Sequence, residues 1–69
     1  MATTTGQNVR AEMARRSKSQ SYIAGLLGLT QTAVSRRLSG QVDFSATELA
    51  IIAADFDTPV GVFFGEVAA

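Results

Sequence analysis

Hydrophobic side chains recur at spacings of three and four residues along most of the chain. This spacing puts apolar side chains on one face of a helix, and no segment alternates strictly over the length of a strand. The pattern predicts an all-α domain made of five short helices. We expect them to start near Thr4 or Thr5, near Ser17 or Ser19, at Thr30, at Ser45 and at Thr58.

The breaks between the predicted helices contain residues that favour helix ends. Thr30 can cap the third helix, and Ser45 with Glu48 has the S-x-x-E spacing of a capping box. Gly28 tolerates the left-handed backbone that ends many helices. Pro59 fits the first position of the fifth helix, where no amide hydrogen is needed.

Composition limits the domain number and the available chemistry. A chain of 69 residues suits one domain, which we expect to fold over about residues 6–64 with short flexible ends. There is no cysteine or histidine, so disulfides are excluded and the commonest general base and metal ligand are missing. We therefore expect neither an enzyme nor a cofactor. No apolar run approaches the roughly 20 residues of a membrane span, and we predict a cytoplasmic protein.

The net charge is zero, but the two halves of the chain differ strongly. Residues 1–38 contain six basic residues and one acidic residue, a net charge of +5. Residues 39–69 contain five acidic residues and no basic residue, a net charge of −5. The asymmetry is compatible with two solvated faces, or with a basic surface that faces a polyanion.

Three residues between positions 20 and 34 have the spacing of a tight helical hairpin. Counted from Gln20, Ala24 is fifth, Gly28 is ninth and Val34 is fifteenth. Two steeply crossing helices need a small residue where they approach, and the turn between them needs a residue that tolerates positive φ. Val34 is compact enough to pack against the first helix of the pair. This is the helix-turn-helix pattern, which places its second helix in the major groove of DNA.

The chain from about Gly6 to Phe64 resembles the lambda-repressor-like family, the Cro/CI or XRE-like type of helix-turn-helix. The resemblance rests on Gln20 and on the segments "AGLLGLT" and "VSRRLSG". It implies five helices and sequence-specific binding to double-stranded DNA, usually in repression of transcription by phage or bacterial regulators. One position departs from the pattern, because the eighteenth residue is usually apolar and here is Arg37.

One face of the third helix has hydrogen-bonding groups and no carboxylate. On a helical wheel this face lies opposite Val34 and Leu38. Such a face suits base edges and phosphates, where an acid would be repelled. The resemblance implies that Gln31 and Thr32 reach base edges at the start of the recognition helix. The predicted base contacts are Gln31, Thr32, Ser35 and Arg36.

Phosphate contacts are predicted around this face. The resemblance implies that Gln20 binds phosphate at the start of the second helix, whose N-terminus favours anions. Arg37 lies on the buried side of the wheel and could extend to phosphate or to an acid such as Glu48. The basic residues before position 20 either contact phosphate or only raise the local potential. The further candidates are Ser19, Thr30, Arg37, Ser39, Gln41, Arg10, Arg15, Arg16 and Lys18.

The C-terminal segment "VGVFFGEVAA" is more apolar than a small domain needs. Adjacent helical residues point about 100° apart, so Phe63 and Phe64 need not both enter one core. We predict a homodimer, formed at least on DNA, through Val60, Phe63 and Phe64; alternatively, both rings cap the core.

The competing function is a protein-interaction module on the same fold, such as an antitoxin or a dimerisation partner. Neither a membrane nor a small-molecule ligand is expected as a partner.

Overall fold

The structure is a computed structural model that describes residues 4–65. Four α-helices follow one another: α1 (Thr4–Arg15), α2 (Gln20–Leu27), α3 (Gln31–Leu38) and α4 (Ala46–Phe56). A 3₁₀ helix (Val60–Phe64) comes last, and none of the described residues forms a strand. Of the predicted flexible ends, residues 1–3 and 66–69 lie outside the described range.

The all-α class is confirmed, but the prediction of five α-helices is wrong, because the last element is a 3₁₀ helix. Pro59 precedes this helix with an extended backbone (φ −65°, ψ 140°) and is not its first residue. No side chain caps its N-terminus. Gly61 weakens its centre and Gly65, at φ 82°, ends it. A five-residue segment with these breaks forms the shorter, tighter 3₁₀ turn.

The predicted caps of α2, α3 and α4 are present. The hydroxyls of Ser19, Thr30 and Ser45 each accept a hydrogen bond from the backbone N–H three residues later, at 3.0–3.1 Å. Glu48 completes the capping box, because its Oε1 accepts the backbone N–H of Ser45 at 2.9 Å. Gly28 ends α2 with φ 69°. These local signals fix the start of each helix after α1 and the turn between α2 and α3.

All five helices contribute to one hydrophobic core. Its most deeply buried side chains come from α1, α2, α3, α4 and the 3₁₀ helix in turn: Val9, Ile23, Val34, Ile52 and Phe63. Burial of side chains of this size stabilises the folded chain by roughly 1.5–3 kcal/mol each. A side-chain hydrogen bond also joins α1 to the 3₁₀ helix, because Asn8 Nδ2 donates to the backbone carbonyl of Phe63 at 3.1 Å.

The N-terminal part of α1 packs directly against the backbone at the end of α3. A Cβ atom at Gly6 would lie 2.5 Å from the carbonyl oxygen of Leu38 and 2.9 Å from that of Arg37. Real Cβ atoms do not approach backbone oxygens this closely, so only glycine allows the observed contact. Gly6 therefore sets the distance between α1 and α3.

Arg16 joins the end of α1 to the end of α4. Its Nε and Nη2 donate hydrogen bonds to the carbonyl of Phe56 at 3.3 and 3.2 Å, and its guanidinium lies 4.8 Å from the centre of the Phe56 ring. Its Nη1 also pairs with the buried carboxylate of Glu12 at 2.7 Å. A cation beside the last carbonyls of a helix is favourable for the helix dipole. Arg16 is thus engaged inside the domain.

An ion pair joins α3 to the start of α4. Arg37 Nε donates to Glu48 Oε1 at 3.0 Å, and Arg37 Nη1 donates to the carbonyl of Ala33 at 3.1 Å. Burial by itself would raise the pKa of Glu48, but the N–H groups of Ser45 and Arg37 outweigh it and lower this pKa from its ordinary 4.5. The charged carboxylate is therefore favoured in the folded chain.

The contact at Gly6 gives a stability prediction. We expect Gly6→Ala to lower the free energy of unfolding by about 1–3 kcal/mol, because α1 and α3 must move apart. Gly25→Ala is the matched control, since nothing lies within 4 Å of its Cβ position in α2. There the alanine should raise the free energy of unfolding by roughly 0.5–1 kcal/mol. Urea unfolding measures both changes, and equal effects would contradict the close approach at Gly6.

The lowered pKa of Glu48 predicts how stability depends on pH. A carboxyl group with a lowered folded pKa stabilises the protein above its unfolded pKa, and this contribution is lost as the pH falls through the folded pKa. Glu48→Gln keeps a side chain that suits the capping box. We expect this variant to be less stable than the parent at neutral pH, with a difference that shrinks below about pH 4.5. Chemical unfolding over that range measures it, and a constant difference would contradict the prediction.

Candidate nucleic-acid interface

The hairpin of α2 and α3 holds α3 at the surface of the domain. Gly28 and Leu29 both donate backbone hydrogen bonds to the carbonyl of Ala24, which closes the turn before Thr30. Ala24 and Val34 are buried between the two helices and the core. The small residue, the positive φ and the stiff apolar residue thus lie where the spacing predicted them. One face of α3 is fixed by packing, and the opposite face is left open.

The open face of α3 contains all four predicted base contacts. Val34 and Leu38 are buried, whereas the predicted contacts are exposed. Among residues 4–65, no hydrogen bond or ion pair engages the side chains of these four residues. Their donors and acceptors are therefore available to a ligand. The four residues are Gln31, Thr32, Ser35 and Arg36.

The predicted phosphate contacts with uncharged side chains fall into two groups. Gln20 is the first residue of α2, and its side chain and that of Gln41 make no hydrogen bond within the described range. The hydroxyls of Ser19 and Thr30 accept the cap bonds of their helices and keep their protons to donate. The hydroxyl of Ser39 instead donates to the carbonyl of Arg36 at 3.1 Å. It has no proton left for a phosphate, which is itself an acceptor.

The basic side chains differ in how far the fold engages them. Arg10 is exposed and makes no ion pair within the described part of the chain. Arg15 is mostly exposed and lies 3.4 Å from the carboxylate of Glu12. The Lys18 ammonium lies 4.3 Å from the centre of the Tyr22 ring. Arg10 and Arg15 thus keep solvent-facing charge on α1, whereas Arg16 donates to the end of α4.

Tyr22 links this basic region to α4. Its hydroxyl donates to the carboxylate of Asp55, whose two oxygens lie 2.9 and 2.8 Å away. This hydrogen bond, together with burial and the charge of Asp55, raises the pKa of Tyr22 from its ordinary value of 10.0. The hydrogen bond to Asp55 keeps the ring that contacts Lys18 attached to α4.

Of the two partners predicted for Arg37, a phosphate or an acid such as Glu48, the structure shows the acid. Its guanidinium is held by Glu48 and by the carbonyl of Ala33, and its side chain is 18% exposed. It lines a cleft of about 290 Å³ together with Gly6 and Phe64. The predicted phosphate contact of Arg37 is therefore replaced by an ion pair within the domain.

The two adjacent phenylalanines are separated as the helical geometry predicted, with one ring inside and one outside. Phe63 is fully buried, and Phe64 is 57% exposed. Phe63 belongs to the core and has no surface to offer a partner chain, which corrects its assignment to the dimer interface. Val60, 41% exposed, remains with Phe64 as the exposed apolar pair at this end.

Sequence reasoning missed three residues that hold the helices together, namely Gly6, Glu12 and Arg16. Gly6 was not singled out, although a glycine within a predicted amphipathic helix is a recognisable sign of close backbone approach. Glu12 is the one acid of the basic half, and its isolation among arginines could have indicated a buried ion pair. The position of Arg16 at the end of α4 depends on tertiary packing, and no local pattern contains it.

Other kinds of site find no support in residues 4–65. No group of three or more acidic, histidine or cysteine side chains lies close enough there to hold a metal ion. In the same range, no helix has the length and apolar character required to cross a membrane.

Comparison with known proteins agrees with this geometry. The family model described as "Helix-turn-helix" matches residues 9–63, from the middle of α1 into the 3₁₀ helix. No curated protein is significantly similar to the chain. The match covers most of the sequence and contains the whole α2–α3 hairpin. The chain therefore belongs to the helix-turn-helix family of the lambda-repressor-like, XRE type, a family of DNA-binding regulators.

Proposed function

We propose that the protein is a sequence-specific regulator of transcription that inserts α3 into the major groove of double-stranded DNA. The observation that carries this proposal is the open face of α3, on which four polar side chains are exposed and unengaged within the described residues. A solvated helix face usually mixes both charges, whereas this one has no carboxylate. Such a face complements base edges lined by phosphates.

The side chains on this face suit direct readout of bases. A glutamine such as Gln31 can bond to N6 and N7 of adenine, and an arginine such as Arg36 can bond to O6 and N7 of guanine. Thr32 offers a hydroxyl to base edges and a methyl group to thymine. Ser35 lies between them along α3 and can donate to either a base or a phosphate.

Phosphate contacts would hold α3 in register. In this proposal Gln20 and the N-terminus of α2 bind one phosphate. Ser19, Thr30 and Gln41 can donate to neighbouring phosphates. Arg10, Arg15 and Lys18 attract the DNA backbone, with or without direct contact.

The proposed role is that of a Cro/CI-like repressor of phage type, acting in the bacterial cytoplasm or nucleoid. Repression of this kind needs no bound metal, because a protein that occupies an operator blocks other proteins from the same DNA. The family match supports DNA binding and regulation. The sense of regulation and the phage type remain our inference from the resemblance.

We also propose that two copies bind DNA together through Val60 and Phe64. Phe64 is 57% exposed and Val60 is 41% exposed, and both belong to the 3₁₀ helix, so this end offers apolar surface that a second copy could cover. A symmetric pair would match a palindromic operator. The same exposed pair would serve a different protein if the domain is an interaction module, such as an antitoxin.

Site selection from random duplex DNA tests the readout. We expect the parent to select a defined site, and Arg36→Ala to lose preference at one position with a cost of about 1–3 kcal/mol. Arg10→Ala is the control, because loss of a charge outside the open face should weaken all sequences similarly. No sequence enrichment by the parent would contradict the proposed function.

Sedimentation at micromolar concentration tests the dimer. We expect a dimer, at least in the presence of the selected duplex, and a shift toward monomer in Phe64→Ser. Because Phe64 is exposed, this change should leave the helical content intact. Only monomer, with and without DNA, would exclude the homodimer. A selected site without palindromic symmetry would point the same way.

A further inference from the structure

Arg36 and Arg37 are adjacent on α3, but their surroundings differ. Arg36 is exposed, and no described residue engages its guanidinium. Arg37 is held at two points, by Glu48 at 3.0 Å and by the carbonyl of Ala33 at 3.1 Å. Both side chains of the ion pair are 18% exposed. Partial removal from water strengthens a charge-assisted bond relative to one on the open surface.

The carboxylate that holds Arg37 is itself fixed. Glu48 Oε1 also accepts the backbone N–H of Ser45 at 2.9 Å, and Ser45 Oγ accepts the backbone N–H of Glu48 at 3.0 Å. The capping box therefore holds the acceptor in place at the start of α4. Pairing with a fixed partner costs less conformational entropy, because only the arginine side chain has to be ordered.

Arg37 could nevertheless add to the charge that faces DNA. It lies about 100° around α3 from Arg36, on the side turned away from the open face. Its long side chain could turn toward a phosphate if no acid held it. Instead it lines the cleft beside Gly6 and Asp43, behind α3.

We infer that Glu48 is a positioning residue that keeps Arg37 away from the DNA backbone, so that α3 presents one arginine instead of two. This inference rests on the proposed function. A released Arg37 would add one phosphate contact, which carries no sequence information. Glu48 thereby limits how strongly the protein binds DNA of any sequence.

The test measures affinity for a mixed-sequence duplex as a function of salt, so that no operator needs to be known. Each phosphate contact adds about 0.9 to the slope of log K against log[salt]. We expect Glu48→Gln to steepen the slope by up to about 0.9 and to bind more tightly at every salt concentration. Arg37→Gln should keep the slope of the parent, and the double variant should return to that slope.

Asp43→Asn is the matched control for charge alone. It removes one negative charge from the same cleft, and no described residue makes an ion pair with Asp43. We expect it to change the slope less than Glu48→Gln does. Equal effects of the two variants would overturn the inference, because general electrostatics would then explain both.

Three further outcomes are decisive. A shallower slope in Arg37→Gln would overturn the inference, since Arg37 would already contact phosphate in the parent. If circular dichroism shows that Glu48→Gln does not fold, Arg37→Gln alone decides, and an unchanged slope supports the inference. If the parent binds neither this duplex nor any selected one, the proposed function itself fails. That result is distinguishable from altered slopes in a parent that binds.

Discussion

The position of α3 depends on a contact between backbones. At Gly6 the first helix approaches the carbonyls of Arg37 and Leu38 so closely that no side chain fits between them. The buried Val34 and Leu38 hold the same helix from the hairpin side. Between these two supports α3 has little freedom to shift, because packed interiors deform little. The open face is therefore held rigidly, as the base readout that we propose would require, since hydrogen bonds tolerate small displacements only.

The arginines of the chain are divided between folding and the surface. Arg16 caps the end of α4, and Arg37 pairs with the start of the same helix. These two charges are partly withdrawn from solvent, and their side-chain bonds tie the two ends of α4 to α1 and to α3. Arg10, Arg15 and Arg36 stay outside. The net charge of +5 over residues 1–38 thus overstates the charge available to a polyanion, because Arg37 is paired with Glu48, an acid from outside that range.

Local signals predicted most of the fold. Ser45 with Glu48, Thr30 and Gly28 act through hydrogen bonds and dihedral angles of neighbouring residues, so their effects are visible in the sequence. The fifth helix was mistaken for an α-helix because its apolar spacing suits either form. Gly61, together with the missing cap, decided in favour of the 3₁₀ turn.

The outward face of α3 was also predictable, because helical geometry fixes which side chains oppose Val34 and Leu38. The contacts of Arg16, Arg37 and Phe63 were harder to predict from the sequence. Each depends on a partner distant in sequence: Arg16 on Phe56, and Arg37 on Glu48. The wheel left two alternatives for Arg37, and only the position of α4 chose between them. Helical geometry correctly predicted that Phe63 and Phe64 point in different directions, but it did not predict which of the two rings is buried.

The hydrogen bond from Asn8 to the carbonyl of Phe63 spans 55 residues of sequence. With the buried Phe63 beneath it, this bond can form only when nearly the whole chain has been brought together. The α2–α3 hairpin, by contrast, closes over a few residues. Non-local contacts of this kind slow folding and make unfolding all-or-none. The α2–α3 hairpin is therefore stabilised by the rest of the domain, and opening of the 3₁₀ helix would weaken it from the far end of the chain.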